Sequence, residues 1–524
     1  MSGPRVITQQ LGGSALTQAA IDGVVPEGWY ARRPQTAGEW RSYVASVQEQ
    51  FADPAWLLAL FPAIAPSGAA RDRLDRTARA GGVVVTTGQQ PGLFGGPVYT
   101  WSKAVAALAL ADQLEAITGV PSAPVFWAAT DDSDFAEGSV TYIATPTGVQ
   151  ALTLPTPERE GVSLRDVPLG DVSALVRELE AGAGSAVYPG ALSATRAAYG
   201  PDATIGSAYL ALLRSQLEPL GIAVLDAGHP AVRAAARPTL SLALERSEIL
   251  EAALADRDRA IAAAGYTTQV PLVRGLTLVL AEEGGGSRRR VSAASATQVA
   301  RDATAVVGPN VLLRPVVERA ILPTASYVGG PGELAYFAQV SAVAETLGLP
   351  APLVLPRWSG LIVEPHIERL LARHALTFDD LRDPHAAEGH LARAALPRPV
   401  TDALSGFRTG LRSLTQSLAM IASAPDTGDD ALLPKSVVAG LTRDFDRRAE
   451  RLERRVVATA KRRSGEMLRE LTTLRAALYP RGKAQERTLN FLPMLARHGP
   501  PLLMQMLDRA REHAERLMPA DRDG

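Results

Sequence analysis

Between residues 81 and 360, short β-branched runs alternate with long alanine- and leucine-rich stretches. Val83-Val84-Val85 ends in Thr86-Thr87-Gly88, the pattern of a buried strand closed by turn residues. A glycine-rich loop follows, through Gly96-Pro97, and then a long Ala/Leu-rich helix from about Val98 to Thr118. Past Gly119-Val120-Pro121 a second strand spans Ala123 to Ala129. Strand, glycine loop, helix and strand make a βαβ unit whose strands are buried on both faces. The rhythm recurs with a helix over Ala208 to Leu217, a strand over Ile222 to Asp226 and a helix starting near His229. It returns once more as Ala325 to Val328, the turn Gly329-Gly330-Pro331-Gly332, a helix from Glu333 to Leu347 and a strand from Ala351 to Leu355. Such alternation predicts an α/β fold built on a mostly parallel, doubly wound sheet. Residues 1–80 read as a polar-rich helical segment broken by prolines and packing on that core. Residues 151–200 and 265–310 break the rhythm and read as insertions in a core of 81–390, the latter with the polar turn Glu282 to Ser287.

From about residue 400 the period changes. Leu404, Phe407, Leu411, Leu414, Leu418 and Ile421 step by threes and fours, as do Phe445, Ala449, Leu452, Val456 and Thr459, and again Met467, Leu471, Leu474 and Leu478. With the Asp-, Gly- and Pro-rich stretch Ser423 to Pro434 between them, these predict two heptad helices over 400–480 forming an antiparallel coiled-coil hairpin. A second copy covering the hairpin's apolar seam would make a homodimer. Pro493 and Pro500-Pro501 set off a short C-terminal helix within 481–524, which returns to the core.

Composition narrows the function. The chain of 524 residues has a net charge of −1, which gives no global pull toward nucleic acid or an anionic membrane. There are no cysteines, so thiolate catalysis, disulfides and Cys-ligated metals are excluded. Met1 to Gly23 carries no uninterrupted apolar signal region, and no apolar stretch reaches the roughly 18 residues of a membrane span, so a cytoplasmic location is expected. Residues 443–490 hold 14 Lys/Arg against 7 Asp/Glu, either a solvated face or a phosphate contact at Arg481 to Arg487.

Three segments carry candidate chemistry. Thr87 to Pro97 links a strand end to a helix start, at the carboxyl edge where parallel sheets bind ligands. It is neither a Walker loop nor a dinucleotide fingerprint, but its glycines and the paired Gln89 and Gln90 suit a polar ligand. Asp131-Asp132-Ser133-Asp134 follows the second strand. Three carboxylates in four residues need compensation from a substrate ammonium, an arginine or a metal, or they form a solvated turn with an Asp cap. Gly329-Gly330-Pro331-Gly332-Glu333, between Tyr327 and Tyr336, is the third, with Arg314 and Arg357 flanking it as bidentate carboxylate partners. The seven histidines show no HExxH or HxxxH spacing and no GxSxG is present, so no metal is expected.

The chain resembles the bacillithiol biosynthesis cysteine-adding (BshC) family in four motifs that run in order over about residues 83–500. Thr87-Gly88-Gln89-Gln90-Pro91-Gly92-Leu93 with Gly96 to Thr100 and Lys103 is similar to its TGQQ…GPLYT…K signature. Pro124-Val125-Phe126-Trp127 with Asp132, Asp134, Phe135 and Glu137 resembles PVFW…EDHDF.E. Leu313 to Val317, Leu322 to Thr324 and Tyr327 to Glu333 form the third motif, and Pro480 to Lys483 with Gln485 to Arg487 and Asn490 the fourth. The resemblance implies a Rossmann-like core of the class I aminoacyl-tRNA synthetase and nucleotidyltransferase type, with a dimerising coiled coil. It implies a ligase joining cysteine to glucosaminyl-malate through an amide; the charge balance and the lack of an apolar span, read above, leave no nucleic acid or membrane partner expected. Asp132 and Asp134 are then the expected catalytic residues. Gly88, Gln89, Gln90, Gly92, Tyr99, Thr100, Trp127, Asp131, Arg314, Tyr327, Gly330, Glu333, Tyr336 and Arg357 would bind substrate. ATP or ADP would meet Arg481, Lys483, Gln485, Arg487 and Asn490. Two departures stand out: Ser133 replaces the family's histidine, and no KMSKS-like loop is present. A nucleotidyltransferase that stops at an adenylate, and a non-catalytic ligand-binding scaffold, are the alternatives.

Overall fold

Five parallel strands form the central sheet of the computed structural model, which describes residues 3–284, 286–394, 396–422, 434–463 and 465–520. They are β1 (Val83–Gln89), β2 (Ser122–Ala128), β3 (Ala223–Asp226), β4 (Thr324–Gly329) and β5 (Val354–Pro356), in the order β5-β4-β1-β2-β3. Every residue of β2, β3 and β4 is buried, as expected of strands covered on both faces. β1 pairs with β2 from Val83↔Ser122 to Gln89↔Ala128, and β4 with β1 through Thr324↔Val84 and Tyr327↔Thr86, with an irregularity between Thr324 and Ser326. The chain winds outward from β1 to β3 and then returns to lay β4 on the other side of β1. That reversal is the topological switch point, where open α/β sheets bind ligands.

Helices α1 (Val98–Thr118), α2 (Pro230–Glu245), α3 (Arg314–Ile321) and α4 (Pro331–Leu347) connect the strands. In α1, Gly119 ends the helix at φ 73, and its N–H bonds the Glu115 carbonyl, a left-handed cap that glycine alone adopts without strain. Most of α1 is buried, including Lys103 at 3% exposure.

The helices expected in residues 1–80 are present, among them Ala37–Gln50, Ala55–Ile64 and Gly68–Arg79. An unforeseen strand, Arg5–Thr8, pairs antiparallel with Gly360–Val363. Residues 151–200 contain the helices Ser173–Ala183 and Gly190–Ala198, and residues 265–310 fold as an antiparallel sheet with Leu276–Glu282 between Arg288–Ser292 and Val307–Pro309. The C-terminal helix is longer than its prolines suggested, running Leu492–Leu517 with a kink at Gly499 (φ 58, ψ −148). Pro493 sits in the first turn and Pro500-Pro501 follow the kink, positions where a missing N–H costs no helical bond.

The chain divides into two compact units, one holding residues up to Ile143, Gln150–Glu364 and those from Ala484 on, the other Ala144–Val149 and Pro365–Lys483. In the second, Arg398–Ile421 packs along Lys435–Arg463, and Arg408 pairs with Glu453 at 2.5 Å. The second heptad stretch is helical over Lys435–Arg463 and Gly465–Leu478, the described residues on either side of position 464. Residues 423–433 of the expected inter-helix loop, and Gly285 of the polar turn, lie outside the described residues. Phe407, Leu414 and Ile421 remain exposed.

Candidate active site at the carboxyl edge of the sheet

The register brings the ends of β1, β2 and β3 level, at Gln89, Ala128 and Asp226, and ends β4 at Gly329 beside Pro356. A cleft of about 720 Å³ opens over this edge. Gly88, Gln89, Gln90, Tyr99, Trp127, Asp131, Asp132, Arg314, Tyr327, Gly330, Glu333, Tyr336, Arg357 and Arg487 all line it. Segments far apart in sequence thus meet in one cleft, and Gln90 Nε2 reaches Asp134 Oδ2 at 3.4 Å.

Lys103 anchors the centre. Its ammonium donates to the Gly88 carbonyl at 2.7 Å and to Gln89 Oε1 at 3.1 Å, and pairs with Glu333 Oε2 at 2.6 Å. Burial pulls the lysine below its usual range, opposed by Glu333. Burial alone would raise Glu333, but Lys103, the Tyr327 hydroxyl and the Gly330 N–H hold its carboxyl below the usual value. Beside it, Arg314 Nη1 donates to Glu318 at 2.7 Å, and its guanidinium lies 4.9 Å from the Tyr327 ring centroid. Burial raises Tyr327 well above its normal value, so its hydroxyl stays protonated.

The carboxylate cluster is compensated locally. Arg288 Nη1 stands 3.3 Å from Asp131 Oδ2 and donates to the Asp131 carbonyl. Asp132 Oδ1 accepts the Asp134 N–H at 3.0 Å, and Asp134 Oδ1 caps the next turn through the Glu137 N–H at 3.1 Å. Burial pushes Asp132 up, and the neighbouring Asp131 and Asp134 charges add to that. A group of this kind suits proton transfer near neutral pH better than an ordinary aspartate does. Among the described residues, no group of three or more His, Asp or Glu stands close enough to hold a metal ion.

Several expected contacts are committed elsewhere. Arg357 gives both Nη atoms to Glu486, at 2.8 and 2.6 Å, so its fork is not open to a substrate carboxylate; only Nε, buried and without a partner among the described residues, remains. Gln485 exchanges both hydrogen bonds with the Ile362 backbone, at 2.9 and 2.8 Å. Asn490 Nδ2 binds the carbonyls of Leu93, Phe94 and Gly96 and the Thr141 hydroxyl, pinning the glycine loop. Arg481 and Lys483 belong to the second unit, and Arg487 is an exposed cation on the cleft lining. Gly92 lies in the glycine loop and Thr100 in the first turn of α1, and neither lines the cleft. A Cβ on Gly92 would sit 2.7 Å from Gly96 Cα, so Gly92→Ala must displace backbone. It is expected to lower activity on the order of 10²-fold with helix content unchanged by circular dichroism.

Sequence reasoning did not place Lys103, Glu137, Glu318 or Glu486 among the site residues. Lys103 did leave a signal, a lone cation in an Ala/Leu-rich helix.

Comparison with known proteins gives two family matches. Residues 27–358 match the bacillithiol biosynthesis BshC N-terminal Rossmann-like domain, and residues 360–517 its C-terminal coiled-coil domain. The chain is 32% identical to a protein of Koribacter versatilis, over 82% of each chain. It is 30% identical to one of Solibacter usitatus, over 83% of this chain and 84% of the relative. Identity to a Geobacillus thermodenitrificans protein is 26% over 83% of each. All three relatives carry the name "Putative cysteine ligase BshC".

Proposed function

The chain belongs to the bacillithiol biosynthesis BshC family, and on that premise we propose that it is a ligase joining L-cysteine to glucosaminyl-malate through an amide bond. The observation that carries this reading is the meeting of the Gly88–Gln90, Asp131–Asp132 and Gly330–Glu333 segments in one polar cleft. Amide formation needs an amine freed of its proton and a carboxyl made electrophilic. Asp132, whose carboxyl burial raises above the ordinary aspartate value, holds the substrate ammonium and takes its proton. Gln89, Gln90 and Tyr99 orient the polar substrate, and Arg314 or the Arg357 Nε attracts a carboxylate.

Carboxyl activation is the chemistry a bound ATP or ADP would supply. The fourth motif fits a nucleotide only in part, because the Gln485 and Asn490 amides are saturated by the fold, leaving Arg487 as the basic group on the cleft and Arg481 and Lys483 on the second unit. We assign the exposed seam of Phe407, Leu414 and Ile421 to a second copy of the chain, and the reaction to the cytoplasm. No helix among the described residues is long and apolar enough to cross a membrane.

Profiling low-molecular-weight thiols in cells with and without the gene tests the reading. Deletion should remove bacillithiol and accumulate glucosaminyl-malate, and the wild-type gene should restore it. An unchanged thiol profile sinks the proposal, and AMP release that does not require glucosaminyl-malate would mark a nucleotidyltransferase instead.

A further inference from the structure

One corner of the cleft has a hydrogen-bond polarity that can be read from its ends. Lys103 can only donate, so the Gln89 atom 3.1 Å away must be the carbonyl Oε1. The Gln89 amide nitrogen then faces Tyr99 and donates to its hydroxyl oxygen at 3.0 Å. The Tyr99 proton is therefore directed onward, to Glu137 Oε1 at 2.7 Å. Burial and the Glu137 charge raise Tyr99 well above its normal value, which keeps that proton in place. From the other side, Gln90 lies 2.6 Å from Glu137 Oε2 and 3.4 Å from Asp134 Oδ2. An amide oxygen facing a carboxylate at that distance would set two acceptors together, so the nitrogen must face both. Each N–H of Gln90 is thereby consumed, and its carbonyl oxygen is the polar atom left for a ligand.

We propose that Glu137 is a positioning residue that fixes the Gln90 amide with its nitrogen inward, so that this corner of the cleft offers an acceptor and selects a protonated primary amine. The proposal rests on the ligase reading, in which both substrates carry such an amine, and it adds the residue that sets the selectivity. In the variant Glu137→Gln, the Tyr99 proton keeps the new amide's oxygen on its own side, so the new nitrogen opposes the Gln90 nitrogen across 2.6 Å unless Gln90 turns over. A turned Gln90 presents donors to the ligand and repels an ammonium. Exchanging the two groups, in Gln90→Glu with Glu137→Gln, restores a matched pair and an acceptor on the cleft side.

Calorimetry on the purified full-length chain, with glucosaminyl-malate, its N-acetylated form and L-cysteine as probes, tests this. Wild type should prefer the free amine over the acetylated form by about tenfold or more, and Glu137→Gln should reduce that preference to about threefold or less, the span of one charged hydrogen bond. The double variant should recover it, and thermal melting should show each variant folded. If Glu137→Gln weakens L-cysteine instead of glucosaminyl-malate, the amine held here is that of cysteine. Should the single variant melt early, the double variant against Gln90→Glu alone reads the same coupling. A folded Glu137→Gln protein that keeps the preference, or a double variant no better than the singles, overturns the proposal. Loss of the ligase reading is seen separately, as absent thiol product in wild type.

Discussion

Replacing Asp132 with asparagine is expected to cut turnover by about 10²–10⁴-fold, the usual yield of a positioned acid or base. Folding should be unharmed. Burial, reinforced by the Asp131 and Asp134 charges, raises the Asp132 carboxyl above its ordinary value. An acid so raised binds its proton more tightly in the folded chain than in the unfolded one. Its contribution to stability therefore falls as pH climbs from the ordinary aspartate range through the raised value, and is flat above. Asparagine suffers no such loss, so at neutral pH the variant should melt at the same temperature as wild type or higher. The wild-type rate should rise with pH across the raised value, and that limb should be missing in the variant. Rates between pH 5 and 8, with melting curves on the same samples, give both readings. Normal turnover in the variant would remove Asp132 from the chemistry.

Glu486→Ala should produce the largest loss of stability, about 3–5 kcal/mol, because it strands a buried guanidinium. Arg357 is 2% exposed and Glu486 4%, and two hydrogen bonds join them, with the Ser359 hydroxyl donating a third at 2.9 Å. The cost belongs to the uncompensated charge more than to the lost contact. Arg357→Met combined with Glu486→Leu should therefore be far more stable than Glu486→Ala alone. Urea unfolding of the three proteins decides it; equal midpoints for wild type and Glu486→Ala would show that the pair carries no weight.

The sheet and its switch point were legible because the strands advertise themselves locally. Val83 to Val85 is β-branched and ends in a glycine turn, and α1 runs from Pro97 to the Gly119 cap where its composition says it should. The strand Arg5–Thr8 was not, since four residues that pair with Gly360–Val363 carry no local sign of a partner so distant. Gln485 and Asn490 were read as nucleotide contacts for a related reason. A polar side chain in a motif looks the same whether it meets a ligand or, as for Asn490, the carbonyls of Leu93 and Phe94, 397 and 396 residues away in sequence. Glu137 was visible only as a motif member; its importance lies in three donors converging on it, which composition does not record.

The order of synthesis sets a problem for this chain. The partner of Arg357 lies 129 residues downstream, beyond the whole stretch Pro365–Lys483. At about 5–20 residues per second a ribosome takes roughly ten seconds to supply it. Throughout that interval the nascent sheet holds a cation with no counter-ion and a glycine loop without its Asn490 clasp. The first unit therefore matures last, after the segment inserted into it has already emerged.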